Sequence, residues 1–292
     1  LKTGKPWGII LFKRNIKSLS QIKKLVKNIR KYAKDKKFPI LIDEEGQTVS
    51  RLTNIIEHGF TQKFFGDLFN FNPILSLKIY ENYIENLCKI FKIIGINLNT
   101  VPVLDVLTKN THKIIGDRSF SNNPKIVKKL GEACIKCYKN NKVGTVIKHI
   151  PGHGCANLDS HFFTPKVKLN YKNLNKKDFF PFKKNKSLFA MTAHILYTSI
   201  DKNNVATFSK KIISKIIRKK LGFKGILISD DISMKALNHN LITNAKKSLE
   251  AGCNLVLYCA GNHKDSLKLI KALPNIDKFT QKKTSEFYKF LS

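Results

Sequence analysis

Three imidazoles, an ammonium and a carboxylate fall within one stretch of this chain: Lys148-His149-Ile150-Pro151-Gly152-His153-Gly154, then Asp159-Ser160-His161. Imidazole beside carboxylate is the pairing that moves protons near neutral pH, and lysine adds a fixed positive donor. Pro151, Gly152 and Gly154 stop regular structure and permit a tight excursion. Taken singly, Lys148 reads as a solvated charge, His149 as a core histidine and His153 as a residue in a surface turn; together they point to an active-site loop. A second feature is Ile226-Leu227-Ile228-Ser229-Asp230-Asp231, an apolar strand ending in two acids. One carboxylate there can face a substrate while its neighbour organises the loop or caps the next helix. Metal ligation is the rival use of His149, His153, Asp159 and His161. His149 and His153 are separated by Pro151 and Gly152, however, which denies them the shared helix face of a helical zinc site, and no metal is expected.

These groups need elements to hold them. Short apolar segments at 8–12, 38–42, 95–97, 143–147, 187–191, 225–228 and 255–258 read as strands, and helical periodicity fills 20–32, 74–93, 124–140, 210–221 and 242–251. Alternation of this kind predicts parallel pairing with both sheet faces covered. An open doubly wound sheet would gather its ligands at one switch point. Here Asp43, Asn97 with Asp105, Lys148-His149, His194 and Asp230-Asp231 each follow a different strand, as at the mouth of a barrel. The expected fold is α/β, a (β/α)8 TIM-like barrel forming a single domain over 1–292. Seven strands are visible, so the first of eight is missing or irregular.

The formal charge of +34 over 292 residues would ordinarily suggest nucleic acid or anionic membrane. The lysines are instead spread over many helices among Asn, Ile and Phe, without aromatic-basic interleaving or zinc-finger spacing. No specific nucleic-acid partner is expected. No apolar run has the length of a membrane span, and the opening Leu1-Lys2-Thr3-Gly4-Lys5 shows no leader pattern. The six cysteines include one isolated Cys134-Ile135-Lys136-Cys137, read as two helix positions, and free thiols of this kind suit a reducing compartment. A cytoplasmic protein, monomeric rather than an obligate oligomer, is expected. Neither Gly-x-Gly-x-x-Gly nor a phosphate-cradling Gly-Lys-Ser/Thr loop occurs, so no cofactor is expected.

One acid as nucleophile and a second group as proton donor is the minimum for retaining glycoside cleavage. Gly8 to Asn15, Gly116-Asp117-Arg118-Ser119-Phe120, Lys148 to Gly154 with Asp159-Ser160-His161, Ala193-His194, Ala206-Thr207-Phe208-Ser209, Leu221 to Gly225 and Ser229-Asp230-Asp231 match, in order and approximate spacing, the pattern of family 3 glycoside hydrolases. The chain resembles the bacterial single-domain β-N-acetylglucosaminidase type over nearly its whole length. That resemblance implies a barrel in which Asp230 is the nucleophile, His161 protonates the leaving oxygen and later deprotonates water, and Asp159 holds the imidazole. It also implies that Asp43, Arg51, Arg118, Lys148 and His149 close round the sugar, with His153 shaping the loop. The substrate it implies is a terminal β-linked N-acetylglucosamine, as on anhydro-muropeptides of cell-wall recycling. A sugar-binding relative without catalysis, or a glycosidase of other sugar preference, are the alternatives. Two departures stand out: Asp43-Glu44-Glu45-Gly46-Gln47-Thr48 replaces the usual Gly-Gly-Arg ending, and Ala251-Gly252-Cys253-Asn254 replaces Ala-Gly-Asp.

Overall fold

Strands form where β-branched and aromatic residues run unbroken, and helices where apolar residues recur every three or four positions. The computed structural model describes residues 4–57, 59–109 and 111–292; part of the opening on which the leader reading rests lies outside them. Seven strands, β1 (Ile9–Leu11), β2 (Ile40–Ile42), β3 (Leu98–Asn99), β4 (Gly144–Ile150), β6 (Phe189–Thr192), β8 (Ile226–Asp231) and β9 (Leu255–Leu257), make one sheet in that spatial order. Each neighbouring pair in it is parallel. β5 (Lys166–Val167) and β7 (Leu196–Tyr197) form a separate two-stranded parallel pair. The helices are α1 (Leu19–Ala33), α2 (Gln62–Phe71), α3 (Pro73–Ile94), α4 (Pro124–Asn140), α5 (Tyr171–Lys176), α6 (Leu241–Ala251), α7 (His263–Ala272) and α8 (Lys278–Phe290), with a π-wound helix at Ile212–Lys220.

The sheet is curled on itself. β1 and β6 are four strand spacings apart in the order, about 19 Å in a flat sheet, yet the rings of Trp7, just before β1, and Phe189, in β6, are 5.3 Å apart. The inner face carries Leu41, Leu98, Val146, Phe189 and Ile226 in one apolar cluster, while Ile147, Ala190 and Leu227 face the helices in another. This is the period of two along each strand. Phe287 of α8 fills the end where the strands begin, 5.1 Å from Phe189. Gly144 makes room for it, since a Cβ there would lie 2.7 Å from the Phe287 ring. Across the opposite rim, Arg14 after β1 donates to the Cys259 carbonyl after β9. The expected TIM-like barrel is thus a strongly curled, open parallel sheet, and among the described residues no eighth strand joins it.

Three expectations need correction. The strand expected at 95–97 starts at Leu98, because Gly95 takes a left-handed conformation (φ 97°) and its N–H closes α3 on Phe91. Asn97 is therefore at the start of its strand, where it accepts from Ile40 N and donates to Lys37 and Phe38, and takes no part in the mouth. Lys148 and His149 belong to the end of β4, which runs on to Ile150, with the loop following them. Cys134 and Cys137 are both buried positions of α4, and all six cysteines are free. Among the described residues no helix is long and apolar enough to cross a membrane.

Candidate active site

The alternation that buries Leu41, Val146 and Ile228 inside the curl turns Asp43, Lys148 and Asp230 toward its open mouth. There, a cavity of about 440 Å³ is lined by Asp43, Arg51, Arg118, Lys148, His149, His153, His161, Asp230 and Asp231, a size within the ~300–1,000 Å³ of small-ligand sites. Asp159 stands behind His161. The residues singled out in the sequence at distant positions are thus brought to one place.

One wall is a chain of alternating charge. Arg51 bonds Asp43 at 3.1 Å, Lys148 Nζ lies 3.3 Å from Asp43 and 2.5 Å from Glu45, and Arg118 grips both Glu45 oxygens at 2.7 and 3.0 Å. Thr100 donates to Asp43 and accepts from Lys148 at 2.8 Å. The Lys148 and Glu45 side chains are only 3% and 2% exposed. Burial would raise both carboxyls, but Lys148 with Arg51 at Asp43, and Arg118 with Lys148 at Glu45, hold them below the ordinary carboxylate range. Burial likewise opposes the charge of Arg118, and Glu45 more than restores it. Lys148 has three N–H groups and three protein acceptors, so it holds the wall together before it can offer a donor to a ligand.

The floor is set by Asp105. Its carboxylate accepts His149 Nδ1 at 2.7 Å and the N–H groups of His149 and His153 at 3.1 and 2.7 Å. Among the described residues that leaves Nε2 of His149 without a hydrogen-bond partner. His153 Nε2 lies 3.4 Å from Ser160 Oγ, its Nδ1 has no partner among the described residues, and burial brings its pKa down to about 4. It is neutral and lodged in the loop. Gly154 is needed here, because a Cβ would sit 1.8 Å from the Val106 carbonyl. Below it, buried Asp178 accepts the N–H groups of Gly154 and Cys155 at 3.0 and 3.2 Å, and burial with nearby Asp105 pushes it up to about 7.

The two acids that end β8 divide their work. Asp231 accepts Ser233 N and Oγ at 3.0 and 2.7 Å and Cys259 N at 3.1 Å, so it shapes the loop. Asp230 accepts only Asp231 N, at 2.8 Å, among the described residues, which leaves an oxygen for the cavity. Burial would raise its carboxyl, but the imidazoles of His194 and His149, the Asp231 N–H and Lys148 outweigh that and keep it ionised. His194 lies beneath, with its ring nitrogens on Thr207 Oγ1 at 2.7 Å and the Asp231 carbonyl at 3.1 Å.

At the rim, Asp159 Oδ1 accepts His161 Nδ1 at 2.7 Å and His161 N at 2.8 Å. The imidazole is 54% exposed. This segment is stitched to the loop after Asp230, since Lys235 N and Ala236 N donate to the carbonyls of His161 and Ser160 at 3.3 and 3.2 Å. A carboxylate with a free oxygen on one side, and a carboxylate-oriented imidazole at the rim, can act as nucleophile and proton carrier. Sequence reasoning missed Glu45 and Asp178 as parts of this site. The run of two acids straight after Asp43 was a usable signal for Glu45; the Lys-rich segment around Asp178 held none.

Comparison with known proteins identifies the family. The model of the glycosyl hydrolase family 3 N terminal domain matches residues 1–286. A beta-hexosaminidase of Nitrosomonas eutropha is 36% identical over 261 residues, covering 86% of this chain and 73% of its own. A family 3 β-N-acetylglucosaminidase from Paenibacillus sp. FPU-7 superposes with a TM-score of 0.85 at 25% identity, over 97% of this chain and 56% of its own length. The chain therefore spans little more than half of that protein. NagZ from Neisseria gonorrhoeae, solved with N-trifluoroacetyl-D-glucosamine, gives 0.84 at 29% identity over 98% and 82%. With the family pattern matched across nearly all of its length, the chain belongs to glycosyl hydrolase family 3.

Proposed function

We propose that the chain is a retaining exo-β-N-acetylglucosaminidase that removes terminal β-linked N-acetylglucosamine, with anhydro-muropeptides as the natural source. In this reading Asp230 attacks the anomeric carbon while His161, protonated, gives its proton to the departing oxygen. Water then donates a proton to His161 and opens the glycosyl-enzyme, so two displacements leave the β configuration intact. Asp159 orients the ring and favours its charged form. Asp43, Arg51, Arg118, Lys148 and His149 bind or frame the sugar. The observation that carries the reading is Asp230 with a free oxygen in the same cavity as the Asp159-bound His161. The N-acetyl preference is supported by the activities named for the relatives.

The test is chromophore release from an aryl β-N-acetylglucosaminide, with a β-glucoside as control, by wild type and Asp230→Asn. Release from the N-acetyl substrate alone, lost in the variant, supports the reading. Folded wild type that binds the sugar without turnover moves the weight to a sugar-binding relative.

A further inference from the structure

The proton-transfer turn carries unexpected apolar surface. Leu158, Phe162 and Phe163, which flank Asp159 and His161, are 40, 59 and 60% exposed. Three large apolar side chains in water on one turn are a patch that calls for an occupant, and the turn holds them in place. Phe162 N and Phe163 N both donate to the Asp159 carbonyl, at 3.2 and 3.0 Å, while the Asp159 carboxylate accepts His161 N. The Lys235 ammonium lies 5.6 Å from the centre of the Phe162 ring, a contact that orients the ring. Lys235 is also tied through its N–H to the His161 carbonyl.

Chemistry supplies the occupant. Whatever takes the proton of His161 is the glycosidic oxygen, and that oxygen is bonded to the leaving group. A leaving group held to the imidazole by a hydrogen bond of ~2.6–3.2 Å lies at the rim, where the next two side chains of the exposed turn are Phe162 and Phe163. The cavity wall that frames the cleaved sugar is charged; the turn beyond it is aromatic. We propose that Phe162 and Phe163 form the leaving-group subsite, a platform that stacks on the C–H-rich face of a second pyranose. This rests on the reading of His161 as proton donor.

The test separates the two claims. In the Asp230→Asn variant, where turnover is blocked, calorimetry compares a β-1,4-linked N-acetylglucosamine disaccharide with methyl β-N-acetylglucosaminide. The disaccharide is expected to bind about tenfold more tightly, and adding Phe162→Ser with Phe163→Ser removes that ratio. A ratio unchanged by the double substitution, or parallel loss of affinity for both ligands, overturns the platform. Wild-type hydrolysis of the aryl glycoside is scored separately. Its absence with the ratio intact defeats the catalytic reading and leaves the platform standing, while turnover with no effect on the ratio defeats the platform alone.

Discussion

The charged wall and the proton-transfer turn face the same cavity and are built in opposite ways. In the wall, Lys148 and Glu45 are almost wholly removed from water and each charge is gripped by the next. At the turn, His161 is 54% exposed and its ring is held by one carboxylate from two residues away. In the proposed mechanism the difference follows from the tasks. Groups that position a sugar gain from rigidity and desolvation, which strengthen every hydrogen bond they offer. A group that must give a proton to the leaving oxygen and then take one from water has to stay in reach of solvent. Asp230 stands between the two, seated on a strand end but with an oxygen open to the cavity.

The largest effect expected from breaking this arrangement is at Asp230. Asp230→Asn should cost on the order of 10⁴-fold or more in kcat, as loss of a covalent nucleophile does, with sugar affinity retained in calorimetry. Next is the turn. His161→Ala should lower kcat/KM by about 10²–10⁴-fold for a disaccharide, and far less for an activated aryl leaving group that needs no proton. Equal losses on both substrates would contradict a proton-transfer role.

In the wall, the expected effect falls on stability. Glu45→Gln leaves Lys148 and Arg118 without their shared carboxylate, and breaking a buried pair in this way costs about 3–5 kcal/mol, measurable as a lower urea midpoint. An equivalent charge change at Asp159, by Asp159→Asn, should cost less than about 1 kcal/mol in stability because its partner His161 is solvent-exposed, while still depressing activity. If the two substitutions destabilise alike, the contrast between wall and turn fails.

How far the sequence exposed this contrast depends on whether a residue's chemistry is announced by its neighbours. Asp43 and Asp230 were legible because each ends an apolar strand, and period-two alternation sends them to the mouth. Asp159 and His161 were legible because Gly and Pro mark a loop. Asn97 misleads, since the glycine that stops α3 at Gly95 looks in the sequence like the start of the strand that begins at Leu98. Asn254, a departure from the family pattern, accepts from Leu227 N and from the Arg218 guanidinium at 2.9 Å each and donates to Thr280 at 3.0 Å, so its amide uses both its oxygen and its N–H here. Asp178 was invisible because its role is fixed by backbone N–H groups distant in sequence. So was α8, whose apolar contribution to the curl comes chiefly from Phe287 and Phe290.

A separate effect is expected in the pH dependence at the root of the turn. An unfolded aspartate titrates near ~3.9, whereas Asp178 is raised to about 7 in the fold. The folded state holds this proton more tightly, so the stability it confers is complete below pH ~4 and is lost as pH rises through about 7. Urea midpoints of wild type measured against Asp178→Asn should therefore decline across that interval. A flat difference would show that Asp178 is ionised throughout.

The most direct test of the central claim, that Asp230 forms the covalent intermediate, is peptide mass spectrometry after quenching the enzyme with a fluorinated β-N-acetylglucosaminide whose second displacement is slow. The account predicts a single sugar added to the peptide containing Asp230, and to that residue by fragmentation. A sugar on another carboxylate, or turnover to the inverted product with no adduct, would contradict it.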